Sequence, residues 1–145
     1  MSNYRSYERL DVEFGPGVSV LYGENGRGKS NLLEALYLLA VAKSSRAGTD
    51  LELMRLRSDS IVSEHTQVAA WLSRGRDTLR IQLDLSVSVE PDVEGSRAPY
   101  AQKNLRVNGA PRRLSELIGE FNAVLFSPAD MDLVYGSPSV RRRYL

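Results

Sequence analysis

One octet constrains this chain more than any other stretch. Gly23-Glu24-Asn25-Gly26-Arg27-Gly28-Lys29-Ser30 reads G-x-x-x-x-G-K-S, the spacing of a phosphate-binding loop. Its glycines let the backbone curl until successive N–H groups converge on a β-phosphate. A lysine then reaches the β/γ oxygens, and a serine hydroxyl ligates Mg²⁺. The flanks supply the context that the motif needs. Val18 to Tyr22 is a short apolar, β-branched run, and Asn31 to Ala42 (NLLEALYLLAVA) is rich in helix formers. Strand, glycine loop and helix in that order place an anion at a helix N-terminus, where unsatisfied N–H groups and the macrodipole both attract it. The octet therefore predicts a nucleoside triphosphate with Mg²⁺, held by Gly23 to Ser30, with Ser30 as the metal ligand.

With 145 residues, 42% of them hydrophobic, the chain has enough material for one domain and too little for two. The formal net charge of +1 gives no global case for nucleic acid, so any basic surface must be local. Cysteine is absent, which removes disulfides, thiolate metal sites and a cysteine nucleophile together. The longest apolar stretch, Leu32 to Ala42, is interrupted by Glu34 and falls far short of the roughly 20 residues that a membrane span needs. With no secretory signal in view, the expectation is a soluble cytoplasmic protein without membrane association.

Arg5 to Phe14 ends in an alternating run, Leu10, Val12 and Phe14 against Asp11 and Glu13, which predicts a half-buried strand that turns at Gly15-Pro16-Gly17 into a second strand at Val18 to Tyr22. Lys43 to Gly48 is a polar connector, after which Thr49 or Asp50 caps a short helix over Leu51 to Arg55. Gln67 to Leu72 and Thr78 to Val89 flank a turn-rich spacer and predict a hairpin. In the second of these, Leu79, Ile81, Leu83, Leu85, Val87 and Val89 alternate with polar residues, the pattern of an antiparallel sheet wet on one face. Glu90 to Tyr100 reads as a loop. Asn104 to Val107 is a strand ending in the Asn108-Gly109 turn, Leu114 to Phe121 a helix, and Ala123 to Phe126 a buried strand. Ser127-Pro128 and Ser137-Pro138 each pair a capping hydroxyl with a proline suited to a first helical turn. A helix that stops within about two turns of its cap is marginal alone, so the chain is expected to be a fragment, with a helical arm beginning near residues 128–145.

Five stretches together resemble the RecF family, SMC-like ABC-type ATPases of bacterial recombinational repair. They are Asn3 to Tyr7 (NYRSY), Gly23 to Ala35 (GENGRGKSNLLEA), Leu38 to Arg46 (LLAVAKSSR), Phe126 to Val134 (FSPADMDLV) and Gly136 to Tyr144 (GSPSVRRRY). The resemblance implies an α/β P-loop NTPase fold. Residues 1–145 would be the N-terminal lobe of an ABC-ATPase-like head, with a mixed sheet and an antiparallel β subdomain. It further implies ATP-driven homodimerisation and binding to single-stranded DNA and to junctions of single- and double-stranded DNA. A RecR-type partner, recombinase loading and a part in DNA replication, repair and the SOS response follow in the same way. The family's signature motif and Walker B carboxylates lie beyond the matching part, and no apolar strand here ends in an adjacent acidic pair. Phosphoryl transfer depends on positioning and charge neutralisation, so the chain is expected to bind ATP without hydrolysing it, and no residue is assigned a catalytic role.

Other residues are open to two readings. Arg46 and Asp50 occupy positions that resemble family residues, where a basic side chain could reach phosphate or DNA, or simply lie in a solvated loop. Arg141, Arg142 and Arg143 are DNA-contact candidates through counterion release, or one exposed helix face. Arg112 with Arg113, and Arg74 with Arg76, raise the same question with less support. His65 has no neighbouring ligand type and reads as a surface residue. Trp71 falls within a strand-like pattern and reads as core rather than as a base-stacking platform. Asp130 and Asp132 read as helix-start acids. Two other classes compete with the ATP-dependent DNA-binding reading. One is a small-molecule P-loop kinase, which would need buried parallel strands; the other is a non-catalytic interaction module with a vestigial loop.

Overall fold

The computed structural model describes residues 1–58, 61–91, 97–131, 135, 137 and 139. Its frame is a six-stranded sheet with the order β2-β1-β5-β6-β7-β8, in which every pair is antiparallel. β1 (Ser2–Tyr4) and β2 (Tyr7–Arg9) form a tight N-terminal hairpin. β3 (Leu56–Ser58) and β4 (Ile61–Val62) make a separate two-stranded ribbon. The long strands are β5 (His65–Arg74), β6 (Asp77–Pro91) and β7 (Arg97–Val107), and β8 (Ala110–Arg112) closes the edge. The helix α1 (Lys29–Val41) lies against one face of this sheet.

The period-2 pattern decides which face that is. Val68 of β5, Ile81, Leu83 and Leu85 of β6 and Leu105 of β7 are buried. They meet Ala35, Leu38 and Leu39 of α1, with Tyr4, Leu53, Met54 and Leu117 filling the rim. Each fully buried leucine contributes about 1.5–3 kcal/mol relative to exposure. The β5–β6 hairpin turns in two residues, from Arg74 paired with Asp77. The β7–β8 hairpin turns at Asn108 and Gly109, both with positive φ, as the Asn-Gly signal requires.

Where the expectations were local they hold. The helix is present, and a 3-10 turn, Asp50–Leu53, is capped by Thr49 with Glu52 returning to the Thr49 N–H. Where they depended on a neighbour they do not. Val18 to Tyr22 and Ala123 to Phe126 form no strand. Val18 is 95% exposed and Val124 101%, because a strand exists only through its ladder and neither run has a pairing partner among the described residues. Leu10 to Phe14 likewise leaves the sheet after Arg9, with Val12 and Phe14 exposed. The expected loop at Glu90 to Tyr100 is shorter than predicted, since β6 runs to Pro91 and β7 begins at Arg97. The helix expected over Leu114 to Phe121 is a single 3-10 turn, Leu114–Leu117. Pro128–Met131 is another, with Asp130 accepting from the Ser127 N–H and hydroxyl. Trp71 is not core: it stands on the sheet face opposite α1, 71% exposed, with the Arg80 guanidinium 5.2 Å from its ring centroid.

Candidate functional site

The loop Gly23 to Gly28 delivers the chain into the first turn of α1, and the entry residue is Gly28. Its φ of 94° lies in the left-handed region, and a Cβ built there would sit 2.8 Å from Ser6 Oγ and from the Tyr7 ring and hydroxyl. Only glycine satisfies both demands. The Gly28 carbonyl accepts from the N–H groups of Asn31 and Leu32 at 2.8 and 3.0 Å, which starts the helix without a side-chain cap. The N–H groups from Gly26 to Ser30 find no acceptor among the described residues. A set of orphan donors at the positive end of a helix dipole is an anion site by construction.

The loop's side chains are disposed to match. Lys29 Nζ donates to the carbonyls of Gly23 (2.8 Å) and Glu24 (2.7 Å), so its ammonium is already folded over the loop. Arg27 pairs with Glu24 at 2.8 Å on the exposed rim. The Ser30 hydroxyl is exposed and makes no hydrogen bond among the described residues. These donors suit a polyphosphate with a hard cation: N–H groups and an ammonium for the phosphate oxygens, and a hydroxyl oxygen for Mg²⁺. A shallow groove beside the loop is lined by Tyr7, Leu10, Val12, Tyr22, Arg27 and Lys29, among others.

Behind the loop lies a buried ionic cluster that is not among the sequence expectations. Glu34, on the buried side of α1, takes a two-pronged contact from Arg5 (Nη2 2.8 Å, Nε 3.1 Å) and a hydrogen bond from the Ser44 hydroxyl. Arg46 Nη1 is 3.9 Å from the same carboxylate and 3.4 Å from Asn31 Oδ1, while Asn31 donates to Ser6 Oγ at 3.0 Å. Burial pushes the Glu34 carboxyl up. The hydrogen bonds from Arg5 and Ser44 and the charges of Arg5 and Arg46 outweigh it and hold Glu34 below the usual carboxylate range. Burial opposes the charge on Arg5, and Glu34 more than restores it. Burial first, and then the Glu34 charge, raises the Tyr4 hydroxyl above the ordinary tyrosine range. Three of the quoted motifs, NYRSY, GENGRGKSNLLEA and LLAVAKSSR, thus meet at one carboxylate. The signal was present in the sequence: Glu34 is the only acid in an apolar helical run, and a charge on a buried face requires a partner.

The remaining candidates divide. Asp50 accepts from Lys103 Nζ at 2.6 Å, and Lys103 also donates to the Ala42 carbonyl at 2.7 Å. That places a buried cation on the C-terminal end of α1, where the dipole favours it, so Asp50 serves the scaffold. His65 stands 3.6 Å from Asp84, which Gln67 and Gln82 also contact. Arg112 faces Glu116 at 3.8 Å. Arg141, Arg142, Arg143 and Asp132 lie outside the described residues, as does most of the expected second helix at Ser137-Pro138. Among the described residues no helix is long and apolar enough to cross a membrane.

Known proteins share this arrangement. The AAA domain family matches residues 1–117. Over all 145 residues the chain is 39% identical to the DNA replication and repair protein RecF of Bacillus mycoides (strain KBAB4), and equally to that of Bacillus thuringiensis (strain Al Hakam). It spans about a third of the length of these relatives, 34% in each case. A solved structure of the recombination mediator protein RecF with ATP in the RecFOR pathway is 32% identical, with a TM-score of 0.75 over 99% of this chain and 34% of that one. Its counterpart with ATPrS gives 0.76 over the same shares.

Proposed function

Because the chain belongs to the AAA domain family and matches RecF proteins along its whole length, we propose that residues 1–145 form the N-terminal, ATP-binding lobe of a RecF-type recombination mediator. The observation that carries the proposal is the row of unpaired N–H groups from Gly26 to Ser30 at the head of α1, with Lys29 folded over the same loop. In this reading the N–H groups donate to the β-phosphate oxygens and Lys29 exchanges its two carbonyl partners for β/γ oxygens. Ser30 would hold Mg²⁺, which supplies charge neutralisation on the phosphates when bound.

Two acids near the loop support binding without turnover. Glu24 is paired with Arg27 on the rim, and Glu34 is buried under Arg5 and Ser44, so neither is placed to orient an attacking water. The antiparallel pairing of the described strands weighs against the small-molecule kinase. The rest of the proposal concerns the longer protein: ATP-dependent homodimerisation, DNA binding at single-stranded regions and junctions with Arg141 to Arg143 among the contacts, a RecR-type partner, an SOS role and a cytoplasmic location. The helical arm beginning near residue 128 belongs to that longer protein too.

The test is equilibrium titration of the chain with a fluorescent ATP analogue. Saturable binding that weakens without Mg²⁺, is competed by ATP and not by AMP, and disappears in Lys29→Ala supports the reading. Binding that is indifferent to Mg²⁺ and to Lys29 overturns it and leaves the vestigial-loop module.

A further inference from the structure

The face of the sheet turned away from α1 carries an arrangement that the nucleotide site does not use. Trp71 projects from β5 there, flanked on its own strand by the small outward residues Ala69 and Ser73, and remains 71% exposed. Directly opposite in register is Arg80 of β6, whose guanidinium stands over the indole. One strand further, Arg106 of β7 is opposite Gln82, which puts it on the same face one row along. Arg76 sits in the adjoining two-residue turn. None of Arg76, Arg80 and Arg106 has a carboxylate partner among the described residues. The acids nearby are Asp77, the first residue of β6 after that turn, and Asp84, and Asp84 is engaged by Gln67 and Gln82 with His65 at 3.6 Å. The inward-facing cation of the same strands, Lys103, is by contrast fully engaged by Ala42 and Asp50.

We propose that this face binds single-stranded DNA, with Trp71 as the base-stacking platform and Arg76, Arg80 and Arg106 as phosphate contacts. An exposed aromatic on an antiparallel sheet offers its ring to any unpaired base, and arginines around it follow the backbone. A duplex keeps its bases stacked and cannot use the ring. An apolar protein partner would gain from Trp71 but would have to desolvate three unpaired arginines, so charge favours the polyanion. This inference rests on the DNA-binding reading above but assigns it a place, distinct from Arg141 to Arg143.

Trp71 is the chain's single tryptophan, so its emission reports on this site alone. Titration of the 145-residue chain with dT15 at low salt is expected to quench that emission saturably, and a duplex of equal length is expected not to. With end-labelled dT15 followed by anisotropy, Trp71→Ala weakens binding roughly ten-fold, within the range for loss of one stacked base, while Trp71→Phe recovers most of it. Arg80→Gln and Arg106→Ala each flatten the dependence of log affinity on log salt by about 0.7. Because all three side chains face outward, unchanged melting temperatures confirm that the variants fold. If labelled dT15 binds with no change in emission and Trp71→Ala binds as well as the parent, DNA binding stands and this site is overturned. Binding of duplex without dT15 has the same consequence. If neither binds at any salt, this site and the DNA-binding reading of the chain fall together. Equal quenching by a polyglutamate peptide reassigns the face to an acidic protein partner and overturns the proposal.

Discussion

At its C-terminal end α1 is fastened by Lys103, only 7% exposed at its side chain, which bridges the Ala42 carbonyl and Asp50. At its N-terminal end the backbone donors from Gly26 to Ser30 have no partner among the described residues and the loop faces water. The same thirteen-residue helix is thus satisfied at one end and left open at the other. Between them Glu34 ties the helix to Arg5 in the N-terminal hairpin and to Ser44 in the connector. The difference separates stability from ligand binding. Free energy of folding resides in the buried middle and C-terminal end, so the N-terminal loop can keep unsatisfied groups for a phosphate.

Substitutions in the fastened part should therefore cost stability, and those in the open part should cost binding. The largest effect is expected for Arg5→Met, which leaves Glu34 buried without its main partner. Urea unfolding should register a loss of about 3–5 kcal/mol, and adding Glu34→Leu should restore most of it. A loss under 1 kcal/mol would mean that the cluster is not the tether described. Gly28→Ala comes next, at about 1–3 kcal/mol, because the left-handed backbone and the contact with Tyr7 both resist a Cβ. It belongs to both halves of the comparison, so ATP affinity should fall with the melting temperature.

The pH response separates the two ends again. Glu34 is held below the usual carboxylate range, and a group depressed in the folded state contributes stability above its unfolded pKa and loses it as pH falls through the folded value. Unfolding free energy should decline on acidification below the ordinary glutamate range, and Glu34→Gln should flatten that limb of the curve. An unaltered acid limb would remove Glu34 from the account. The smallest effect on stability is expected for Ser30→Ala, under about 0.5 kcal/mol for an exposed side chain, while the Mg²⁺ dependence of nucleotide binding should vanish.

How far the sequence reveals this design depends on the range of the interactions involved. The loop, α1, the Thr49 cap and the β6 alternation are settled by residues within a few positions of one another, and all were legible. The composition of Val18 to Tyr22 and Ala123 to Phe126 suggests strands, but a strand needs a ladder that composition cannot supply. The apolar run around Trp71 suggests core. Register places it on the outer face, since a one-residue step along a strand changes sides. The Arg5–Glu34 tether spans 29 positions, beyond any local rule, although an acid in an apolar helix face was a signal for it. Lys103, reaching 61 positions back to Ala42, had no comparable signal.

The central claim is that the open end of α1 is a nucleotide site whose grip depends on Lys29 and contributes nothing to folding. Thermal unfolding of the parent chain and of Lys29→Ala, each with and without saturating Mg-ATP, tests it in one experiment. Without ligand the two should melt together, because the hydrogen bonds of the Lys29 ammonium among the described residues are to exposed loop carbonyls. At Mg-ATP about 100-fold above Kd the parent should gain about 2.7 kcal/mol, a rise of roughly 5–10 °C for a domain of this size, and Lys29→Ala should gain none. Equal ligand-induced shifts in both proteins, or no shift in either, would contradict the account.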